Sequence, residues 1–166
     1  METVRFDDVE AHRAAADRLF EALLRTLTVL LPDADIQHVG STALPRGLTK
    51  GDLDIQVRVP AARFEAACDA LSAHYSLNEG GFRGQGGRSF KDDHTTPPMG
   101  VHVTVIDGAC DFQWRFRDLM LRRPDLCEAY DDIKRRFQGG DVDAYRVEKG
   151  RFFEGLAAME GISLPE

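Results

Sequence analysis

The stretch HVGSTALPRGLTKGDLDIQV, His38 to Val57, decides how the rest of the chain is read. Gly40-Ser41 closes one apolar run, and ten residues later Asp52 and Asp54 open another. In DLDIQVRV the residues alternate: Leu53, Ile55, Val57 and Val59 share one face, Asp52, Asp54, Gln56 and Arg58 the other. Period two predicts a strand with one covered face and one polar face. On such a strand the two carboxylates project from the same side, about 7 Å apart along the chain. Gly40 allows the backbone close to a phosphate, and Ser41, Thr42 and neighbouring N–H groups can hold its oxygens. Two hard-oxygen ligands at that separation suit a Mg²⁺ pair bridging the phosphates of a nucleoside triphosphate. The plain alternative is a solvated turn leading into an ordinary strand.

Upstream, apolar residues recur at helical spacing from Val9 to Leu31, and Pro32 ends the helix. DIQHVGS reads as a short strand entering the turn. Downstream, Pro60 suits the first turn of a helix over AARFEAACDALSAH. The glycine-rich NEGGFRGQGGRSFKDDHTTPPMG reads as hairpin strands around Phe82 and Ser89-Phe90. VHVTVID is a third alternating strand, with Val101, Val103 and Val105 on one face and His102 and Thr104 on the other. From Asp111 the pattern is helical, in three segments separated at Pro124 and near Gly139-Gly140. Strands in the first two-thirds and helices in the last third predict an α+β fold, a sheet with a helical tail folded against it.

The chain has 166 residues, 43% of them hydrophobic and 30% charged, which describes a soluble globular domain. A formal net charge of −7 argues against broad, sequence-independent nucleic-acid binding. Cys68, Cys110 and Cys127 form no CxxC pair and read as reduced thiols. His94, His102 and Cys110 have no zinc-site spacing. The first residues lack the pattern of a signal peptide, and the apolar runs are too short to span a bilayer, so the cytoplasm is the expected location.

An apolar residue, Gly-Ser, ten residues and then acid-apolar-acid-apolar resembles the signature of the nucleotidyltransferase superfamily related to DNA polymerase β. The whole opening stretch is similar to the GrpB family, whose members carry a comparable H-x-GST-x-P-G-L…K…D-I-x-V run. The likeness continues through MGVHVTVI, similar to a His-x-His-like strand, and through WRFRDLMLRRPDLCEAYDDIKRRF and DAYRVEKGRFFEGL. It extends from about Val29 to Leu156. The resemblance implies a nucleotidyltransferase-like mixed β-sheet with flanking helices and a C-terminal helical segment. Many GrpB-like chains carry an apolar residue where Asp52 stands; here both acids are present, which strengthens the metal-site reading.

Active enzymes of the superfamily usually place a third acid on a neighbouring strand. The polar face of VHVTVID offers His102 and Thr104 instead. Asp107 has the parity of the buried valines, and Asp92 and Asp93 are the other acids nearby. A neutral His102 could act as base or ligand, shifting preference toward Mn²⁺ or Zn²⁺; alternatively the site binds without transferring. Lys50, Arg88, Lys91 and Lys149 are candidates to offset phosphate charge, and each can also be read as a solvated side chain. Lys134 and Tyr145 match the family's helical motif, and His38 is either a phosphate contact or a strand-end histidine. Trp114, Phe116 and Tyr130 read as core.

The expectation is one domain over 1–166, its sheet-containing part about 1–108 and its helical tail about 109–166. The expected activity is metal-dependent transfer of a nucleotidyl group from a nucleoside triphosphate to an acceptor, with Mg²⁺, or Mn²⁺ in its place. Asp52, Asp54 and His102 are the catalytic candidates, Asp52 and Asp54 the metal ligands. Gly40, Ser41, Thr42, Lys50, Arg88 and Lys149 are the phosphate- and nucleotide-binding candidates. The alternative is a non-catalytic module binding a nucleotide, a phosphorylated small molecule or a partner protein on the same fold.

Overall fold

The apolar face of the DLDIQVRV strand sets the architecture, because Leu53, Ile55 and Val57 are completely buried and need cover along their whole length. The computed structural model describes residues 1–165. In chain order the elements are β1 (Asp7–Asp8), α1 (Glu10–Leu30), β2 (Asp35–Val39), β3 (Leu48–Thr49), β4 (Leu53–Val59), α2 (Phe64–Ser72), β5 (Ser76–Leu77), β6 (Gly87–Asp92) and β7 (Met99–Val105). The helices α3 (Gln113–Arg122), α4 (Pro124–Arg136) and α5 (Val142–Glu160) follow. Five strands form a mixed sheet in the order β2-β4-β7-β6-β5, in which only β4 and β7 run parallel. The crossover between those two contains α2, as a parallel connection requires. A separate antiparallel pair, β1 with β3, closes the N-terminus onto the loop after the Gly-Ser turn.

One sheet face packs on α1 and α2, joining Leu27, Phe64 and Leu71 to Ile55, Val57, Val101 and Phe90. The other face was expected to be polar, and it is; but it is covered as well. Gln56, Thr104 and Ser89 on it are fully buried. The chain entering α3 lies over them, and each of these three side chains finds a partner, which is what makes such burial tolerable. Gln56 donates to Thr104 Oγ1 at 2.9 Å and Asp111 Oδ1 at 3.0 Å, and accepts the Trp114 N–H at 2.9 Å. Arg58 forks onto Asp111 at 2.7 and 2.8 Å and reaches Asp35 at 2.7 Å. Its guanidinium lies 4.7 Å from the centre of the Trp114 ring, so this tryptophan is half-buried mortar on the polar face, not apolar core.

The C-terminal helices have a second core of Leu44, Phe116, Leu119, Tyr130 and Leu156. Pro124 opens α4 and Asp141 caps α5, its side chain accepting the Ala144 N–H at 2.8 Å. The glycine-rich segment differs from expectation. Phe82 is not in a strand; β6 pairs instead with the two-residue β5, and Phe82 only touches it through Ser89. So short a strand carries no alternation from which it could be recognised.

Candidate functional site

Gly40 leaves β2 with φ 75° and ψ −171°, a region open essentially to glycine alone. A Cβ at that position would lie 2.6 Å from Asp54 Oδ2, so the turn folds directly against the carboxylate. Pairing of β2 with β4 sets this up by placing Val39 opposite Asp54. The other carboxylate oxygen, Oδ1, is 3.2 Å from His102 Nε2, and His102 Nδ1 is 2.8 Å from Ser89 Oγ. Ser89 in turn accepts the Phe82 N–H at 2.9 Å. The Asp54 side chain keeps 37% of its exposure. Burial pushes its pKa up, but the His102 hydrogen bond and the nearby Lys149 and Lys50 outweigh this and hold it below the ordinary 3.8.

Asp52 stands one residue ahead of β4, its carboxylate 3.2 Å from the Lys50 ammonium with both side chains close to half-exposed. Thr42, expected as a phosphate contact, is 2% exposed. Its hydroxyl donates to the Asp52 carbonyl at 3.1 Å and meets His38 Nε2 at 2.9 Å, so it braces the turn against the strand. His38 stacks on Phe20 of α1 with ring centres 5.1 Å apart, and burial pushes its pKa below 6.5. It is a packed strand-end histidine on the far side of the sheet.

The helices close the other side of the turn. Lys134 of α4 is 2% exposed, and its ammonium donates to the Leu48 carbonyl, to Asp131 Oδ1 at 3.3 Å and to Ser41 Oγ at 3.4 Å. It also lies 3.9 Å from the centre of the Tyr130 ring. Burial pushes its pKa down to about 8 despite Asp131. Asp131 fixes the loop as well, accepting the Leu48 N–H at 3.0 Å and filling the space beside Gly47, where a Cβ would meet it at 2.9 Å. The Tyr130 and Tyr145 hydroxyls share a buried hydrogen bond of 2.9 Å, and burial pushes Tyr130 up to about 12. Lys149, exposed on α5, contributes positive charge to Asp54, Lys134 and Tyr145 together.

Of the predicted residues, the structure therefore brings Gly40, Ser41, Asp54, His102 and Lys149 to one end of the sheet, with Lys50 and Asp52 at its rim. Arg88 is not there. Register pairs it with Val103 on the opposite face, where it meets Glu65 at 3.2 Å and the Phe64 ring at 5.4 Å. Lys91 is on the site's face instead, three residues further along the strand and opposite Gly100. Among the described residues no acid fills the third position: Asp107 sits in a left-handed turn with φ 60°, Asp92 caps the turn by accepting the His94 N–H, and Asp93 pairs with Lys91. A cavity of about 500 Å³ lies behind Gly47 and Leu48, lined by Arg46, Asp131 and Arg135, and does not reach Asp54. Sequence reasoning missed Ser89, whose only signal is that it shares the parity of Lys91 on β6; Tyr130, read as core, is buried in the helical core.

A family model described as GrpB protein matches residues 8–158. The chain belongs to the GrpB family. A UPF0157 protein of Vibrio cholerae is 27% identical over 164 residues, covering 92% of this chain and 81% of that one. The crystal structure of the conserved protein GrpB from Enterococcus faecalis has a TM-score of 0.63 at 18% identity, covering 91% of this chain and 99% of that one. The Cid1 poly(U) polymerase with MgGTP bound has a TM-score of 0.51 at 13% identity over 74% of this chain and 40% of that one. At such identities these structures establish the shared fold: this GrpB protein has the mixed α+β nucleotidyltransferase architecture.

As a metal site, the described GrpB cleft offers the carboxylates of Asp54 and Asp52, with the His102 ring nitrogens already engaged by Asp54 and Ser89. Among the described residues no group of three or more His, Cys, Asp or Glu side chains could hold an ion. That set is wrong for a resident, fully protein-ligated metal. It suits Mg²⁺, which is held through one or two carboxylates with water and substrate phosphates supplying the rest. The three cysteines are free and buried, and among the described residues no helix is long and apolar enough to cross a membrane.

Proposed function

We propose that this GrpB protein binds a nucleoside triphosphate with Mg²⁺ at the Gly40-Ser41 turn and transfers its nucleotidyl group to an acceptor. The observation that carries the reading is the contact of Asp54 with the positive-φ Gly40, ringed by Lys50, Lys134 and Lys149. A carboxylate held ionised beside a glycine turn, with cations converging on both, is the environment a metal-bound triphosphate needs. In this assignment Asp54 and Asp52 hold the ion, which offsets charge on the transferring phosphoryl group. Ser41 and the turn orient the phosphates, Lys134 stiffens the turn from beneath, and Lys149 faces the triphosphate from α5. The fold shared with a polymerase crystallised with MgGTP is consistent with this.

The missing third acid favours a second reading, a module that binds the nucleotide without transferring it. Thermal unfolding with Mg²⁺ and each of the four ribonucleoside triphosphates tests the common part. Metal-dependent stabilisation of ~2.7 kcal/mol is expected at a hundredfold excess over Kd and is lost in Asp54→Asn. Absence of any shift in the wild-type protein excludes both readings. Transfer of label from an α-³²P triphosphate separates them.

A further inference from the structure

Pro124, Glu128, Asp131 and Arg135 recur every three or four residues along α4 and so share one face of it. Between that face and the Arg46-Gly47-Leu48 loop lies the cavity of about 500 Å³, the size of a small-molecule site and far more than an ion fills. Asp131 is the most deeply buried of its charged groups. The side chain is 8% exposed, and its Oδ1 accepts the Leu48 N–H at 3.0 Å and the Lys134 ammonium at 3.3 Å. Among the described residues no group donates to Oδ2, which is open to the cavity. Gly47 leaves it open, since a Cβ there would stand 2.9 Å from Oδ2. A carboxylate oxygen so deeply placed calls for an N–H donor, and the chain supplies none.

The remaining charges of the lining narrow what that donor belongs to. Asp125 is held by Arg123 at 2.7 and 2.9 Å, and Glu128 by Arg135 at 2.8 Å, so both are already compensated. Asp8, across the cavity on β1, uses only Oδ1, on the Glu10 N–H at 2.9 Å. Arg46 is exposed on the rim and forms no ion pair among the described residues. Burial pushes the Cys127 thiol up, which keeps it a neutral wall. Among the described residues these acids do not converge into a set that could hold a metal ion, so the matching ligand is organic. Two carboxylates and one guanidinium are left facing the same space. Their complement is a molecule with two cationic groups and one anionic group. We propose that the cavity binds a basic amino acid, arginine or lysine, one of its cationic groups donating to Asp131 Oδ2, the other to Asp8, and its carboxylate lying on Arg46. The cavity does not reach Asp54, so this site stands apart from the nucleotide reading.

The test titrates the full chain, without nucleotide, with L-arginine, L-lysine, agmatine, L-alanine and succinate, by calorimetry and by the amide NMR resonance of Leu48 beside Asp131. Arginine or lysine is expected to bind and to move that resonance. Agmatine, which lacks the carboxylate, and alanine, which lacks the second cation, should each bind roughly tenfold more weakly, the loss of one charge-assisted contact. Arg46→Ala should weaken the basic amino acid about tenfold and leave agmatine unchanged. Asp131→Asn keeps an acceptor for the Leu48 N–H and should abolish binding; Arg46, exposed, gives the decisive variant if that protein does not fold. No binding of arginine or lysine at millimolar concentration overturns the proposal. So does succinate or agmatine binding as tightly as arginine, or Arg46→Ala without effect. Each of these results leaves the Asp54 site standing, and failure of the nucleotide reading leaves this one.

Discussion

Replacing Gly40 by alanine separates a built turn from a merely polar one. Two costs follow from the geometry. Backbone at φ 75° and ψ −171° costs a non-glycine residue about 1–3 kcal/mol. The added methyl would also stand 2.6 Å from Asp54 Oδ2 and 3.1 Å from its Cβ, so Asp54 must move and its hydrogen bond to His102 is strained. A hydrogen bond to a charged group contributes about 1.5–3 kcal/mol. Together the two give ~3 kcal/mol if the bond is partly kept, which in a chain of this size is ~6–12 °C in Tm. Gly161→Ala is the control: its φ is 63° and ψ 32°, but no atom lies within 4 Å of an added Cβ. It bears only a conformational cost of about 1–2 kcal/mol. Chemical denaturation of both variants, with and without Mg²⁺-ATP, provides the comparison. Gly40→Ala no worse than Gly161→Ala, with an unchanged nucleotide response, would refute the idea that Asp54 is seated by this turn.

Arg58→Ala is expected to cost ~3–5 kcal/mol in urea denaturation, because it strands Asp111, whose side chain is 3% exposed. Burial pushes Asp111 up, but its bonds from Arg58 and the Asp107 amide hold it below 3.8, so this stability is present above that value and is lost as pH falls through the depressed folded pKa. Asp111→Asn should therefore show a shallower loss of stability below about pH 4 than wild type. Lys134 gives a slope of the same sign in an alkaline window. With its folded pKa lowered from 10.5 to about 8, the unfolded chain binds more protons above that pH and stability rises with pH. Between pH 8 and 9 wild type should gain ~1 kcal/mol relative to Lys134→Met, a difference that cancels the opposing titration of the buried cysteines.

Much of the site was legible because strand chemistry is periodic. The alternation in DLDIQVRV placed Ile55 and Val57 in the core and Asp54 and Gln56 on the other face, as found. The helical tail and the Gly-Ser turn were equally plain. Arg88 against Lys91 was not. A shift of one residue reverses a strand's faces, and the register of β6 is set by its pairing with β7, which alternation alone does not give. Thr42 was misread because a hydroxyl in a turn is equally able to hold phosphate or backbone; only the position of the Asp52 carbonyl decides. Lys134 shows the same limit from the helical side. A lysine in an amphipathic helix reads as surface, and its burial depends on a carbonyl 86 residues away.

The buried polar face explains why these helices sit where the site needs them. An end of the sheet that must carry Asp54 and His102 cannot be sealed by an apolar layer without stranding charge. Apolar packing would also leave the overlying chain free to slide, since hydrophobic contact is non-directional. Hydrogen bonds are directional, and the Gln56, Arg58 and Asp111 network admits one placement of the chain entering α3. Arg117 of α3 extends the constraint, donating to the His38 carbonyl at 2.9 Å and Gln37 Oε1 at 2.7 Å, just before the Gly40 turn. With α3 fixed, α4 follows across the single residue Arg123, and Lys134 reaches Ser41. The polar residues of β4 thus divide the labour by position: Asp54 at the open end faces the Gly40 turn, and Gln56 and Arg58 behind it hold the chain entering α3.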